Sequence, residues 1–286
     1  MRRYLWINLV LAVVLIGAAA VIWLHPGRSN KHRHLTDLHT DRITHIVFRH
    51  RGQATVELQR DGDRWMMQKP YPMPANPVQV RKLLHLTNEQ ILGSYSLEQV
   101  DRKKVGLDPP LATVDYAGTR LAFGAANLVT HDRLAQLDKQ VYRIADLGDS
   151  VLEASPASFV SLKLLPDNTM FKAIILPNLQ LDLDAANGWQ AKPAPAKLKA
   201  DTMQALVDNW REAQALWVRA AKPPTVNRGR ITLKLKNGKT VRFIIVQHRP
   251  NLILFRQGVN LSYLMPPDAT TKLLQLQSGS GKAATQ

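Results

Sequence analysis

Asp182 and Asp184 stand two apart in a run that alternates with Leu179, Leu181 and Leu183, so on a strand both carboxylates share one face. Paired oxygen donors of that kind suit a hard divalent cation. The alternation equally describes the solvated face of a half-buried strand, which is the reading adopted. A second oxygen and nitrogen set, His34, Asp37, His39 and Asp41, falls in a stretch holding six of the nine histidines. Its spacings match no closed ligand set, and a polar spacer accounts for it. Asp61 and Asp63 flank Gly62 and belong to a turn. With no cysteine in 286 residues, disulfides, thiolate metal sites and cysteine nucleophiles are excluded. There is no G-x-S-x-G elbow, no H-E-x-x-H and no G-x-G-x-x-G after a strand. Gly279, Ser280, Gly281 and Lys282 faintly suggest a phosphate loop, but Leu276 replaces the first glycine and Ala283 the hydroxyl residue. No catalytic residue, metal or cofactor is therefore expected.

Charge is the unusual property. The formal net charge is +16, and from Pro223 onward ten basic residues face a single acid, Asp268. Residues 228–242 read as a hairpin carrying Arg228, Arg230, Lys234, Lys236, Lys239 and Arg242 with no carboxylate. Ile231, Leu233 and Leu235 should point inward, leaving Lys234 and Lys236 to face out together. Two readings stand side by side: a solubilising face, or a surface for anionic lipid or polysaccharide. Nucleic acid is the weaker partner, since no aromatic-basic RNA motif accompanies the charge.

The elements that would position these residues are legible. Ile43 to His50 alternates as a strand, paired with one over residues 55–60. A turn at Asp61, Gly62 and Asp63 leads to a returning strand at Arg64, Trp65, Met66 and Met67, and Pro70, Pro72 and Pro74 end the ladder. Asn76 and Pro77 open a helix, whose buried stripe is expected at Val80, Leu83, Leu84, Thr87 and Ile91. Residues 112–116 and 120–123 predict a hairpin, residues 133–137 and 141–145 two more strands, and residues 147–154 a short helical end. The pattern restarts at Phe171, with a second helix capped by Asp201 and striped by Leu206, Trp210, Ala213 and Trp217. Core packing explains that tryptophan-rich stripe better than ligand stacking.

Trp65 and Trp189 lie 124 positions apart, Gly118 and Gly238 lie 120 apart, and Tyr142 and Tyr263 lie 121 apart. The expected fold is α+β: two tandem repeats of antiparallel strands, each with one main amphipathic helix, behind an N-terminal transmembrane helix. The repeats cover residues 43–154 and 171–276, joined by a connector over 155–170 and followed by a flexible tail over 277–286.

Residues 5–24 contain one polar side chain, Asn8, and as a helix would span ~30 Å, the thickness of a bilayer core. Trp6 and Trp23 sit near the ends, where an interfacial belt would hold them. Ala18, Ala19 and Ala20 offer the alternative of a cleaved signal peptide, but Val21 to Leu24 stay apolar beyond that site, which favours an anchor over residues 1–24. Residues 25–42 form a polar linker. Arg28, Lys31, Arg33 and Arg42 outnumber Arg2 and Arg3, so a literal positive-inside count favours a cytoplasmic domain. The short basic start, apolar run and large following domain favour export, and a periplasmic domain on a single-pass inner-membrane anchor is the expectation.

Four groups of residues carry a family resemblance. They are Leu58, Arg60, Gly62 and Trp65; Pro74, Ala75 and Asn76 leading into Val80 to Leu84; Gly106 to Pro110; and Leu121 to Gly124 followed by Val141 and Tyr142. Across roughly 120 residues the first half thus resembles the domain of unknown function 4340 family of bacterial envelope proteins. That resemblance implies a membrane-anchored protein encoded near ABC-type transporters, and it supplies no catalytic residues. Its expected role is a non-enzymatic accessory or scaffold subunit beside an ABC-type transport system. The alternative is a binding module that takes anionic lipid or polysaccharide through the basic C-terminal hairpin.

Overall fold

The computed structural model describes residues 34–146, 151–186, 188–194 and 200–276. The 5–24 span and the 277–286 tail lie outside them. Among the described residues no helix is long and apolar enough to cross a membrane. The described chain is an α+β fold built on two antiparallel sheets.

The first sheet comprises β1 (His45–His50), β2 (Val56–Asp61), β3 (Arg64–Lys69), β4 (Met73–Pro74), β5 (Ile91–Ser96), β6 (Ala112–Tyr116), β7 (Thr119–Asn127), β8 (Asp132–Leu137) and β9 (Gln140–Ala145), in the spatial order β4-β3-β2-β1-β6-β7-β8-β9-β5. The second comprises β10 (Phe171–Leu176), β11 (Leu179–Asp184), β12 (Gly188–Lys192), β13 (Trp217–Ala220), β14 (Arg230–Leu235), β15 (Thr240–Gln247), β16 (Ile253–Arg256) and β17 (Leu261–Leu264), in the order β12-β11-β10-β14-β15-β16-β17-β13. The two-residue β4 apart, the orders coincide. In each, a three-strand meander is followed by a helix, then by an edge strand on the far side, and finally by four strands that fill the gap. The helices are α1 (Pro77–His85) and α2 (Ala200–Arg211), with a short α3 (Ala269–Leu274) closing the second half.

Both tryptophans of the sequence repeat occupy the second position of their strand. Trp65 pairs with Arg60 and Trp189 with Leu183, in each case one step from the turn. Both are half-buried against the core, not fully buried. Gly118 and Gly238 take positive φ in the β6–β7 and β14–β15 turns, and Tyr142 and Tyr263 sit in β9 and β17.

Several expected helical positions lie elsewhere. The α1 helix stops at His85, so Ile91 belongs to β5. Leu92, Gly93, Ser94 and Tyr95 lack the alternation that would have announced that strand, and pairing with β9 makes it one. Asp201 lies inside α2, in its first turn, and is not its cap. Ala213 follows the end of α2 and Trp217 opens β13. Of the helical end expected over 147–154, Val151–Glu153 is one 3₁₀ turn, and residues 147–150 lie outside the described residues.

Asn76 caps α1 as the sequence predicts. Its Oδ1 accepts from the Val78 amide at 3.0 Å, and its Nδ2 donates to the Ser158 carbonyl at 3.1 Å, tying the helix start to the connector. Asn76→Ala loses both bonds at a buried site and should lower stability by ~1–2 kcal/mol, read as a fall in the urea midpoint.

Alternation sends Ile46, Phe48, Val114, Leu121 and Phe123 inward to the core shared with α1 and with the 151–165 connector. The segment that crosses from β5 back to β6 meets the sheet at the bulged part of β7. That segment packs directly over Gly124: a Cβ there would come 2.3 Å from the Val105 carbonyl oxygen, and the Ala125 amide donates to that oxygen at 3.1 Å. Two motifs far apart in sequence, around Gly106 and around Gly124, therefore meet as one contact.

Candidate polyanion-binding face

The hairpin over residues 228–242 resolves into β14 and β15. Ile231, Leu233 and Leu235 are buried as expected, because odd positions of β14 face the core. Arg230, Thr232 and Lys234 project from the opposite face. Arg242 pairs with Thr232 across the ladder, so it sits diagonally between Arg230 and Lys234. Diagonal neighbours of this kind lie ~7–8 Å apart, close enough for one multiply charged ligand to reach all three.

Lys236 and Lys239 lie just outside the two strands. They bracket the Asn237–Gly238 turn, where Gly238 has φ 81° and the Lys239 amide donates to Asn237 Oδ1 at 3.1 Å. Lys234 and Lys236 are both exposed, although the strand ends at Leu235 and the Lys236 amide donates to the Met170 carbonyl at 2.9 Å. Arg228 precedes β14 in the crossover from β13, its amide bonded to the Ile245 carbonyl at 2.9 Å. All six basic side chains are exposed.

Among the described residues, none of the six has a carboxylate within ion-pair distance. The reason is compositional: between Glu212 and Asp268 the chain has no acid. The first half contrasts with this. There Lys69 meets Glu57 at 3.0 Å, Lys104 meets Asp101 at 3.3 Å, and Arg143 meets Asp132 at 3.5 Å.

The structure adds a seventh cation that sequence reasoning missed. Trp217 and Arg219 stand on the edge strand β13, with the guanidinium 4.6 Å from the ring centroid. Pairing carries one outward row across the sheet through Arg219, Ser262, Phe255, Ile244 and Arg230. Phe255 and Ser262 are buried in the middle of that row, and an arginine closes each end. The signal was present in the Trp217-x-Arg219 alternation, but it was absorbed into a helical stripe.

The acidic and histidine groups weighed as metal ligands are engaged locally. Asp182 accepts from Gln180 Nε2 at 2.8 Å and meets Lys192 at 3.4 Å, while Asp184 Oδ1 accepts from the Ala186 amide at 2.8 Å. His34 Nδ1 lies 2.8 Å from the Asn88 carbonyl and His39 Nδ1 3.3 Å from that of Asp37. Arg60 donates to the Asp41 carbonyl at 2.7 Å. Among the described residues no group of three or more His, Cys, Asp or Glu side chains is placed to hold a metal.

What the face offers chemically is exposed positive charge held at fixed positions on a β-ladder. No family model, no curated protein and no solved structure matches this chain, so the reading of that face rests on its own geometry.

Proposed function

We propose that this chain is a non-enzymatic, membrane-anchored protein of the bacterial envelope that works by association. In this reading an N-terminal span over residues 5–24 holds two tandem copies of one α+β unit on the periplasmic side. The outer face of the second sheet then binds a polyanion through Arg230, Lys234 and Arg242, supported by Arg228, Lys236 and Lys239. The ligand chemistry is an array of phosphate or carboxylate groups, supplied by anionic lipid or by an acidic polysaccharide. The observation that carries the reading is the acid-free stretch between Glu212 and Asp268, all six of whose hairpin cations are exposed. A purely solubilising surface gains nothing from excluding every carboxylate, whereas a polyanion site does, because each acid would repel the ligand.

Each basic residue close to an anionic bilayer contributes ~1 kcal/mol, and the attraction is screened within a Debye length of ~10 Å at 0.1 M salt. The full chain held in neutral nanodiscs should therefore capture anionic vesicles and release them as salt rises. Reversing Lys234, Lys236 and Lys239 to Glu should abolish capture without moving the melting temperature. Equal capture of neutral vesicles would leave only the solubilising role.

A second reading concerns the partner. The resemblance motifs around Gly106 and Gly124 meet in one packed contact, which supports a shared structural unit with the envelope family. On that basis the chain is an accessory or scaffold subunit beside an ABC-type transporter, and in-cell crosslinking should recover integral-membrane transporter subunits. Recovery of soluble proteins alone would contradict it.

A further inference from the structure

The most exposed large apolar side chains of the described protein are Leu128 at 84% and Val129 at 88%, side by side at the tip of the β7–β8 hairpin. They sit far from the basic face of the second sheet in sequence and on a different sheet. The turn that presents them is closed on itself. Asn127 Oδ1 accepts from the Val129 amide at 3.0 Å and from the Thr130 amide at 3.3 Å, and the Asn127 carbonyl accepts from His131 at 2.9 Å. Thr130 Oγ1 donates to Asp132 at 2.8 Å, and that carboxylate also meets Arg143 at 3.5 Å. These polar groups are bonded within the hairpin or to its neighbour, so their bonds survive if the tip leaves water.

The place of the tip matters as much as its composition. The described chain enters the fold at His34, which bridges to Gln90 just before β5, and the Leu35 amide donates to the Glu89 carbonyl at 2.9 Å. Ile91 of β5 pairs with Ile144 of β9, and the next residue of β9, Ala145, pairs with Asp132 at the base of the tip. Entry point and tip therefore lie at the same end of the sheet, about three strand spacings or ~14 Å apart. Only residues 25–33 separate the apolar 5–24 run from that entry point. Nine residues span at most ~30 Å, so this end of the sheet stays within a short leash of whatever surface holds the run.

Charge agrees. Arg51 is exposed in the β1–β2 turn at this end. Among the described residues of the first sheet and its turns, the carboxylates of Asp61, Asp63, Asp115 and Asp138 have no ion-pair partner. All four lie at the opposite end, in or beside the β2–β3, β6–β7 and β8–β9 turns. Those four carboxylates therefore lie away from the apolar tip.

We infer that Leu128 and Val129 insert into the bilayer from which the chain emerges, giving the first half a second membrane contact. Resting on the anchor proposed above, the inference makes that half a unit docked flat-end-on against the lipid, not a domain swinging on its linker. The bilayer is the occupant because the leash brings it there and because the amides of the turn are already bonded within it.

The cysteine-free chain makes the test direct. Val129→Cys, Asp138→Cys and Val21→Cys are each made in the full chain, labelled with an environment-sensitive fluorophore and reconstituted in anionic liposomes containing lipid spin-labelled at shallow acyl depth. The label at 129 should shift to the blue and be quenched like that at 21, while the label at 138 stays unquenched. Adding Leu128→Ser should reduce the quenching at 129. If 21 is quenched and 129 behaves as 138 does, the tip does not insert, although the anchor stands. If neither 21 nor 129 is quenched, the anchor itself is absent and the inference falls with it.

Discussion

Trp210→Ala should destabilise the second half by ~3–5 kcal/mol, the range for deleting a fully buried tryptophan. Trp210 has no exposed surface, and its Nε1 donates to the Leu273 carbonyl at 2.9 Å, binding α2 to α3. Its ring lies 6.3 Å from Phe243, which packs edge-on against Tyr263 at 6.2 Å. The substitution opens a cavity among these rings and leaves the last turn of α3 without a donor. Trp210→Phe keeps most of the ring but not the donor, so its loss should be nearer ~1–3 kcal/mol. Trp217→Ala, on a half-exposed edge strand, should cost less than either. Urea midpoints at constant slope order the three variants. A Trp217 loss equal to that of Trp210 would place the wrong indole at the centre of the core.

The second large effect concerns charge inside the first half. Arg133 is 2% exposed, yet its guanidinium donates to Asp146 at 2.6 Å, to Glu153 at 3.0 Å and to the Gly124 carbonyl at 3.0 Å. The fork thereby joins the end of β9, the 3₁₀ turn over Val151–Glu153 and the bulged part of β7. Arg133→Met fills much of the same volume but leaves the Asp146 carboxylate buried without its guanidinium, which should cost ~3–5 kcal/mol. Arg133→Lys should not rescue it, since one ammonium cannot address three acceptors in different directions. The double variant Arg133→Met with Asp146→Leu should recover much of the loss, because a buried pair replaced as a whole is often near neutral. Failure of the double variant to exceed the single one would show that the connection to Glu153 and Gly124 matters more than the ion pair.

Nothing in the sequence announced that network. Arg133 opened a predicted strand, Asp146 lay just past the end of another, and Arg133 pairs with Ala126 beyond the bulge in β7 that follows Phe123. A two-residue period cannot reveal where a strand slips by one position. Where period and turn chemistry acted alone, reading was sound: Asn76 caps α1, Gly118 and Gly238 sit in hairpin turns, and Ile231 and Leu233 face inward. The order of the strands is a different matter. The edge positions of β5 and β13 follow from long crossovers, and no local residue pattern encodes a crossover. The same limit hid half of the basic face. Arg230, Lys234 and Arg242 were visible as charges, but their convergence required the register that sets Arg242 opposite Thr232. Arg219 was out of view because Trp217 continued a helical spacing beyond Arg211, where the chain in fact turns into β13. The pair Leu128 and Val129 fell between the expected strands 120–123 and 133–137, and only the hairpin shows them exposed at a tip.

The claim that this protein works by association through the outer face of its second sheet is tested most directly in living cells. A photo-crosslinking residue replaces Thr232, which sits among Arg230, Lys234 and Arg242. A control replaces Asp138 in the β8–β9 turn of the other sheet. The account predicts adducts at 232 whose added mass is lipid, glycan or a membrane subunit. Those adducts should be lost when Lys234, Lys236 and Lys239 are reversed to Glu, and position 138 should show none. Equal adduct patterns at 232 and 138, or adducts at 232 that persist through the charge reversal, would contradict it.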